Sequence, residues 1–424
     1  MIANELLDFI RKSPTAFHAV DSIVDILNKE GFQELNPGKP FSINAGGKYY
    51  ITKNSSSIIA FNVGDNIADG AEYSFRIAAS HSDSPCFKIK ENAEVRVRDK
   101  YTMLNTEGYG GMLLAPWLDR PLSIAGRVVV RDGDGIKEMH ICFDKDMLII
   151  PNLAIHMNRK VNEGYAYNKQ VDMMPLFGGK DTESGDFKKI IASEAGVEVE
   201  DILGSDLFLY DRTPSSVWGA NDEFVSSPRL DDLECAYTSL MGFIDGNNST
   251  GINVYACFDN EEVGSTSGQG AASTFMYDVL KRINIALGKS EEEYICAITN
   301  SFMLSCDNAH AVHPNHPEKT DNTNAVYMNE GVVIKSNANQ KYTSDAISIA
   351  KFRLICEKAG VPYQFYANRS DEPGGSTLGN IAMTHVSVPA VDIGLPQLAM
   401  HSPYETAGVT DIKYMIDACE AFYS

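Results

Sequence analysis

Histidine and carboxylate side chains occur at the ends of predicted strands, or at the start of a predicted helix, in five separate segments of this sequence. Imidazole and carboxylate ligands without thiolates suit Zn²⁺, Mn²⁺ or Co²⁺, and the pattern does not choose between these metals. Each occurrence alone is weak, because polar residues follow strands in any fold, but the recurrence predicts a metal site. The candidate metal ligands are His81, Asp231, Glu262, Asp307 and His401.

His81 is followed two positions later by an acidic residue, Asp83. In extended backbone that spacing places both side chains on the same side. A carboxylate beside an imidazole fixes the tautomer and makes the other ring nitrogen a better metal ligand. The alternative interpretation is a polar turn formed with the neighbouring serines and Pro85.

Two adjacent glutamates follow the apolar run Ile252–Phe258. Neighbouring side chains of extended backbone point in opposite directions, so Glu262 can bind a metal while Glu261 reaches the water on that metal. A cation lowers the pKa of such a water to roughly 7, and a nearby carboxylate can then accept its proton. The alternative is an exposed acidic turn, which the composition of the chain makes plausible.

Asp231 and Asp232 precede a helix predicted over 233–244. Carboxylates at a helix start are favoured by the free N–H groups, so a capping role is the ordinary interpretation of both residues. The catalytic interpretation is that Asp231 bridges two cations about 3.5–4 Å apart, as a two-metal site requires.

The elements that must position these residues are short apolar runs separated by helical patterns. Runs at 75–79, 252–258, 302–304 and 386–393 each lead towards one of the polar segments, and 274–287 has apolar residues at helical spacing. Strands alternating with helices predict an α/β fold, with a mostly parallel sheet and helices on both faces. Ligands of such sheets bind beyond the carboxyl ends of the strands.

A different pattern occupies the middle of the chain. Val128, Val129 and Val130 precede the turn 131–135, which is typical of a hairpin, and Pro-, Gly- and Asn-rich pieces follow. This pattern predicts a β-rich domain, 93–223, inserted into a discontinuous catalytic domain formed by 1–92 and 224–424.

Composition narrows the functional class. The 424 residues have a formal net charge of −21, which argues against a nucleic-acid partner, because phosphate binding needs an excess of Lys and Arg. The eight cysteines form no CxxC pair, which indicates free thiols in a reducing compartment. No signal peptide pattern or membrane-length apolar run is present, so we expect a cytoplasmic protein.

Several motifs in this order resemble the aspartyl aminopeptidase (aminopeptidase I) family of dinuclear zinc exopeptidases. The likeness spans nearly the whole chain and is specific as an ensemble, although no single piece is. The matching segments are 80–85, 227–232, 259–265, 307–315, 331–335 and 396–402, with 117–120 and 153–156 inside the insertion. The resemblance implies a zinc exopeptidase-like fold with an inserted dimerisation domain.

The resemblance also implies a role for each site residue. His81 and Asp307 would bind one of two metal ions, Glu262 and His401 the other, and Asp231 would bridge them. Asp83 would orient His81, and Glu261 would be the general base. His156 would enter a neighbouring subunit's active site and stabilise the oxyanion, as in a family that forms dimers assembled into dodecamers. The family commonly has Asn where this chain has Asp232.

Substrate choice is left open. The family often prefers N-terminal Asp or Glu, and Lys335 is the candidate partner for such a side chain, although a surface lysine is the alternative. Other family members accept neutral residues. The Gly-rich segment 368–377 offers backbone donors to a peptide, or forms a plain turn.

Three rival interpretations remain at this level. A related dinuclear deacylase or amidohydrolase would keep the metals and change the substrate. A nucleotide-binding loop at 264–270 lacks the Lys-Ser/Thr ending of a phosphate loop. A non-catalytic shell protein would not need Glu261 together with all five candidate ligands.

Overall fold

The computed structural model describes residues 2–67 and 73–424, and the chain divides into two units. Unit 1 comprises Met1–Asp83, Ser215–Met400 and Glu405–Ser424, and unit 2 comprises Ser84–Pro214 and His401–Tyr404. The insertion predicted at 93–223 starts and ends later in the sequence than the long segment of unit 2. The return of His401–Tyr404 to unit 2 was not predicted.

Helices lie near the start of the described chain and again from Asp186 onwards, whereas the described residues between Gln33 and Gly178 form strands without an intervening α-helix. The helices are α1 (Ile2–Lys12), α2 (Ala16–Lys29), α3 (Asp186–Ala195), α4 (Leu230–Asp245), α5 (Phe275–Ala286), α6 (Glu291–Asn300), α7 (Ala346–Ala359), α8 (Leu378–Ala382) and α9 (Val409–Tyr423).

The strands range from two-residue pairings to the twelve residues of β5. They are β1 (Gln33–Glu34), β2 (Lys48–Lys53), β3 (Ser57–Val63), β4 (Phe75–His81), β5 (Cys86–Val97), β6 (Tyr101–Tyr109), β7 (Leu122–Asp132), β8 (Gly135–Cys142), β9 (Leu176–Gly178), β10 (Ile202–Asp211), β11 (Ser216–Trp218), β12 (Phe224–Ser227), β13 (Ile252–Phe258), β14 (Phe302–Cys306), β15 (Ala309–His310), β16 (Val332–Lys335), β17 (Tyr363–Tyr366), β18 (Ala390–Gly394), β19 (Pro396–Leu398) and β20 (Glu405–Gly408).

A nine-stranded sheet forms the centre of unit 1, in the order β1-β2-β3-β13-β4-β14-β18-β16-β17. The four middle strands β13, β4, β14 and β18 are parallel to one another, and β3 and β16 join them antiparallel. β13, β14 and β18 are fully buried and β4 is buried except at Arg76, which explains why the middle strands are rich in apolar residues.

Both faces of this sheet are covered. Successive side chains of a strand point to opposite faces, and in β4 Ala78 packs in one core cluster while Ile77 and Ala79 pack in another. The first cluster contains residues of α1, α2, α4, α7 and α9, and the second contains residues of α5, α6 and α8. The sheet is therefore a middle layer between two layers of helices.

Strand register brings the predicted site segments to one edge of the sheet. Phe258, the last residue of β13, lies opposite His81, the last residue of β4. On the other side of β4, Ala79 lies opposite Ser305 of β14, two residues before Asp307. The segments that leave these three strands therefore start next to one another.

A smaller sheet of unit 1 brings a distant acid into the same region. Its order is β11-β12-β20-β19-β15, and Ser227 of β12 lies opposite Glu405 of β20. Only two residues separate Ser227 from the start of α4, so this pairing places Glu405 beside the start of that helix.

Unit 2 is built on a six-stranded antiparallel sheet, in the order β8-β7-β10-β5-β6-β9. The hairpin predicted after Val130 is formed by β7 and β8, with Asp132 opposite Gly135. Its core includes an edge-to-face contact of Phe87 with Trp117, 5.2 Å between ring centroids. Helix α3 adds Phe187 and Ile191 to that core.

Together the elements form a mixed α/β fold with several sheets. In the described part of the chain, no helix combines the length and the apolar character that crossing a membrane requires.

Candidate metal centre

The His81 imidazole is buried at the carboxyl end of β4, with 1% of the residue exposed. Its Nδ1 lies 3.0 Å from the main-chain oxygen of Asp83 and 3.3 Å from Oδ1 of that residue. A carbonyl oxygen can only accept, so Nδ1 carries a proton and Nε2 is the nitrogen available to bind a metal. Nε2 faces Oδ1 of Asp231 at 3.6 Å, the direction in which a metal ligand is needed.

Asp83 contacts two segments of the centre at once. Besides facing His81, its Oδ1 accepts a hydrogen bond from the Glu261 N–H, and its Oδ2 accepts one from the Glu262 N–H, both at 3.1 Å. Sequence reasoning predicted the contact with His81 but missed the hold on the glutamate turn, because the partners are 178 and 179 residues apart.

The two glutamates lie in a tight 3₁₀ turn, Glu261–Val263, directly after β13. The turn is entered by Asn260 and left by Gly264, both with left-handed backbone, at φ +67 and +94. Burial, partly offset by His81, raises the pKa of Glu261 to about 8.

The start of α4 departs from helical geometry at the two aspartates. Asp231 and Asp232 have non-helical backbone angles and are joined by a cis peptide bond. The Asp231 N–H donates to Oε2 of Glu405 at 2.9 Å, and Oδ2 of Asp232 accepts from the His81 N–H at 3.0 Å. Asp232 therefore fixes the end of β4 and does not cap a helix.

Asp307 leaves β14 beside the only lysine that pairs with it among the described residues. Lys335 Nζ donates to the main-chain oxygens of Asp307 and Asn308 at 2.8 and 3.2 Å, and lies 3.8 Å from Oδ1 of Asp307. Lys335 is 2% exposed, so the alternative of a surface lysine is wrong. Its predicted role in binding substrate stays a prediction.

Two ligand clusters in unit 1 share His81 and meet at Asp231. One atom each from His81, Asp231, Asp232 and Asp307 lie within 4.8 Å of one another, and so do atoms of His81, Glu261 and Glu262. A carboxylate oxygen of Asp231 also lies within 4.8 Å of one of Glu262. Asp231 is thus the carboxylate with neighbours in both clusters.

The electrostatics of these clusters fit a cation. Burial raises the pKa of Asp232 well above its ordinary value, and burial, opposed by Lys335, also raises that of Asp307. Burial would lower the pKa of His81, but Asp232, Asp231 and Asp83 raise it well above its ordinary value. Oδ1 of Asp232 is buried without a hydrogen-bond partner among the described residues. So many buried acids are costly without added positive charge, and divalent cations would supply it.

His401 belongs to unit 2. Its Nδ1 donates to the Gly111 carbonyl at 2.7 Å, and its main-chain oxygen accepts from Leu113. This contact leaves the lone pair on Nε2, as a metal-binding imidazole requires. The chain returns to unit 1 four residues later, at Glu405. Its assignment as a ligand stays a prediction.

His156, the other unit 2 candidate, lies in an exposed turn after Pro151. Among the described residues, no contact within unit 2 explains the position of His156. Its action in a neighbouring subunit stays a prediction.

Sequence reasoning missed four buried polar residues of this region. They are Glu234, Asn308, Gln397 and Glu405. Asn308 follows a predicted ligand, Gln397 and Glu405 lie in strands, and Glu234 lies in α4. Only the burial of these residues distinguishes them from polar residues of the surface. Asn308, which follows Asp307 directly, had the strongest signal available from the sequence.

One imidazole and five carboxylates gather at one edge of an α/β sheet and at the start of α4, in two adjacent clusters, as is typical of a metal-dependent hydrolase. Comparison with known proteins makes that class specific. The chain belongs to the aminopeptidase I zinc metalloprotease family (M18), whose family model matches residues 9–423. It is therefore a zinc-family aminopeptidase, a hydrolase of peptide bonds.

Individual relatives support the same assignment. A probable M18 family aminopeptidase 2 of Clostridium novyi (strain NT) is 49% identical over 428 residues, covering 100% of this chain and 98% of the relative. The cryo-EM structure of the Ape4 and Nbr1 complex contains a similar chain, with a TM-score of 0.95 and 34% identity, over 100% of this chain and 85% of that one. The S. cerevisiae mApe1 dodecamer is similar at a TM-score of 0.86 and 25% identity, over 100% and 96%.

Proposed function

We propose that this aminopeptidase removes the N-terminal residue of peptides with the help of two divalent ions, zinc in the first instance, bound on either side of Asp231. The observation that carries the proposal is the position of Asp231, whose carboxylate has neighbours within 4.8 Å in both ligand clusters. A carboxylate shared between two cations is the defining feature of a two-metal site.

Each ion would have its own pair of ligands. His81 and Asp307 would bind one, Glu262 and His401 the other, and Asp231 both. The ions, when bound, supply a Lewis acid for the scissile carbonyl and acidify the attacking water. No thiolate takes part, which suits Zn²⁺ but also Mn²⁺ or Co²⁺.

Glu261 would act as the general base. Its neighbour Glu262 is the proposed ligand, and Asp83 accepts hydrogen bonds from the main-chain N–H groups of both glutamates. The carboxylate would take a proton from the attacking water and return it to the leaving amine. Burial raises the pKa of Glu261 to about 8, which supports a role in which this carboxylate accepts a proton.

We infer that the enzyme works as a homo-oligomer in which unit 2 is the dimerisation domain. The turn around His156 exposes Leu153, Ile155 and Met157, at 54, 47 and 76%. Neighbouring apolar side chains this exposed are unusual on a monomer and favour a protein partner. The dodecameric state of the similar S. cerevisiae mApe1 supports a second copy as that partner, with His156 reaching its active site.

For the N-terminal residue of the substrate we propose a preference for Asp or Glu, with two alternatives. Acidic residues would need a local cation, because the net charge of −21 repels acidic peptides at long range. Lys335 is buried against the Asp307 and Asn308 carbonyls, which suits it to that role only at the floor of a pocket. Neutral residues, or an N-acylated substrate of a deacylase, are the alternatives.

We place the enzyme in the cytoplasm. All eight cysteines are free thiols in the structure, and five of them are buried. Buried thiols without disulfides are typical of a reducing compartment.

Kinetics on a substrate panel, with metal content measured on the same sample, test the proposed function. The panel contains aminoacyl amides of Asp, Glu, Leu and Ala, together with their N-acetylated forms. The proposal expects about two ions per chain and hydrolysis of the free-amine set alone. Activity restricted to the N-acetylated set would show a deacylase, and a chain without bound metal would refute the site.

A further inference from the structure

The side chain of Asn308 contacts two other segments that lead to proposed metal ligands. It follows Asp307 directly, and its Nδ2 donates to Oε2 of Glu234 at 2.9 Å and lies 3.4 Å from Oε1 of Gln397. Its Oδ1 accepts from the Cys235 thiol at 3.2 Å. Glu234 and Cys235 belong to α4, three and four residues after Asp231, and Gln397 lies in β19, four residues before His401.

All of these groups are removed from solvent. Asn308 is 3% exposed, Gln397 1%, and Glu234 and Cys235 0%. A buried amide must find its hydrogen bonds within the protein, because an unmade bond is not replaced by water. The contacts of Asn308 are therefore geometric restraints on its position, and its peptide bond passes that restraint to Asp307.

We propose that Glu234 and Asn308 are positioning residues of the metal centre, and that their hydrogen bond sets the spacing between Asp231 on α4 and Asp307 after β14. The inference rests on the proposed two-metal function. Neither residue would touch the ions or the substrate. Their partners on the ligand side are the chain segments that carry Asp231 and Asp307.

The main-chain contacts of Asp231 and Asp307 do not set the spacing between their two segments. The Asp231 main chain is tied to Glu405 on β20, and the Asp307 main chain is tied to Lys335 on β16 and to Ile393 on β18. These bonds connect each segment to a different strand. The side-chain bonds of Asn308 with Glu234 and with the Cys235 thiol join the two segments to each other, and the bond with Glu234 is the shorter of the two.

The test compares metal affinity, measured by chelator competition on folded protein, for Glu234→Leu, Asn308→Leu, the double variant and Glu234→Gln. Each leucine variant should weaken metal binding between about 10- and 100-fold, as loss of a group that orients ligands does. The double variant should bind metal no more weakly than the single variant with the lower affinity, because both single changes remove the same hydrogen bond. Glu234→Gln keeps an acceptor oxygen for Asn308 and should stay within about 3-fold of wild type.

Asn253→Leu is the matched control. Asn253 is also fully buried and donates from Nδ2 to the Tyr423 carbonyl at 2.9 Å, but it lies at the start of β13, far along the strand from Glu261. It should lower the melting temperature and leave the metal dissociation constant unchanged. A purely structural role of Glu234 and Asn308 would give this same pattern for their variants.

The outcomes separate this inference from the proposed function. Wild-type protein that binds two ions while both leucine variants keep wild-type affinity would overturn the positioning role alone. Wild-type protein without bound metal would refute the proposed function itself. If Asn308→Leu does not fold, Asn308→Asp replaces it, because the aspartate keeps the volume but loses the donors to Glu234 and Gln397.

Discussion

At the scale of single residues, the proposed centre would give different tasks to two chemically identical side chains. Glu261 and Glu262 are adjacent and both lie near His81, but only Glu262 also groups with Asp231. Asp83 fixes the tight turn that carries them by accepting both of their main-chain N–H groups. The different roles of the two glutamates are therefore proposed from their neighbours, because their residue type is the same.

Glu261→Gln tests the general base. The amide keeps the shape of the side chain and cannot accept a proton from the attacking water, so kcat should fall about 10²- to 10⁴-fold. Metal content should stay at the wild-type level, since Glu261 is not among the proposed ligands. A variant with a near-wild-type kcat would show that the base lies elsewhere.

Asp83→Asn tests the contact between His81 and the glutamate turn. Both oxygens of Asp83 accept main-chain N–H groups, so an amide would turn its NH₂ towards one of those donors. We expect metal affinity to fall about 10- to 100-fold, measured by chelator competition. Asp321→Asn changes a half-buried acid of the same unit that also accepts two main-chain N–H groups, so it is the control and should bind metal normally. Equal affinities for both variants would contradict the role of Asp83.

At the scale of elements, the positions of several central strands were predictable from the sequence, whereas the side-chain contacts between distant segments were not. Acids directly after apolar runs identified the ends of β4, β13 and β14, and the helical spacing over 274–287 corresponds to α5 (Phe275–Ala286). These are local patterns of period two and 3.6. The bond from Glu234 to Asn308 joins residues 74 apart, and no local pattern of a single sequence reports it.

The start of α4 shows where local reasoning fails. Aspartates before a helix ordinarily cap it, and the structure instead breaks the helical geometry at Asp231 and Asp232. The partners that impose this come from other strands, since Asp231 bonds Glu405 on β20 and Asp232 bonds His81 on β4. Tertiary contacts override the local preference at the position that the chemistry uses.

The buried acid of α4 predicts a pH effect on stability. Burial raises the pKa of Glu234 to about 8 from an ordinary 4.5, so its folded-state carboxyl favours the protonated form. The free energy of unfolding that this protonated carboxyl contributes is fully present below about pH 4.5 and is lost as the pH rises towards 8.

Glu234→Gln removes this titration in metal-free protein. The free energy of unfolding of the variant, relative to wild type, should increase with pH between about 5 and 8, by at most about 1.4 kcal/mol per pH unit. Urea denaturation of both proteins in the presence of chelator, across that pH range, measures the difference. A pH-independent difference would mean that Glu234 is ionised throughout.

At the scale of the whole molecule, family membership and fold agree over nearly the entire chain. The family model covers 9–423, and the similar cryo-EM chain matches the full length at a TM-score of 0.95. The motif ensemble made the family predictable from sequence. Assembly is a property of surfaces, which local sequence patterns describe poorly, so the role of unit 2 rests on its exposed apolar turn and on the dodecameric relative.

Subunit mixing tests whether His156 acts in a neighbouring copy. His156→Ala should keep the metal content and lower kcat about 10²- to 10³-fold, as loss of an oxyanion donor does. When His156→Ala and Glu261→Gln subunits are dissociated and reassembled together, some sites recover both residues. The mixture should exceed the activity of either variant alone; activity equal to their average would place His156 in its own subunit's site or outside the reaction.

The direct test of the two-metal account is a crystal structure of the purified enzyme with anomalous data collected above and below the zinc edge. We predict two anomalous peaks about 3.5–4 Å apart, with Asp231 between them, His81 and Asp307 on one, and Glu262 and His401 on the other. A single peak, or two peaks that do not share Asp231, would contradict the account.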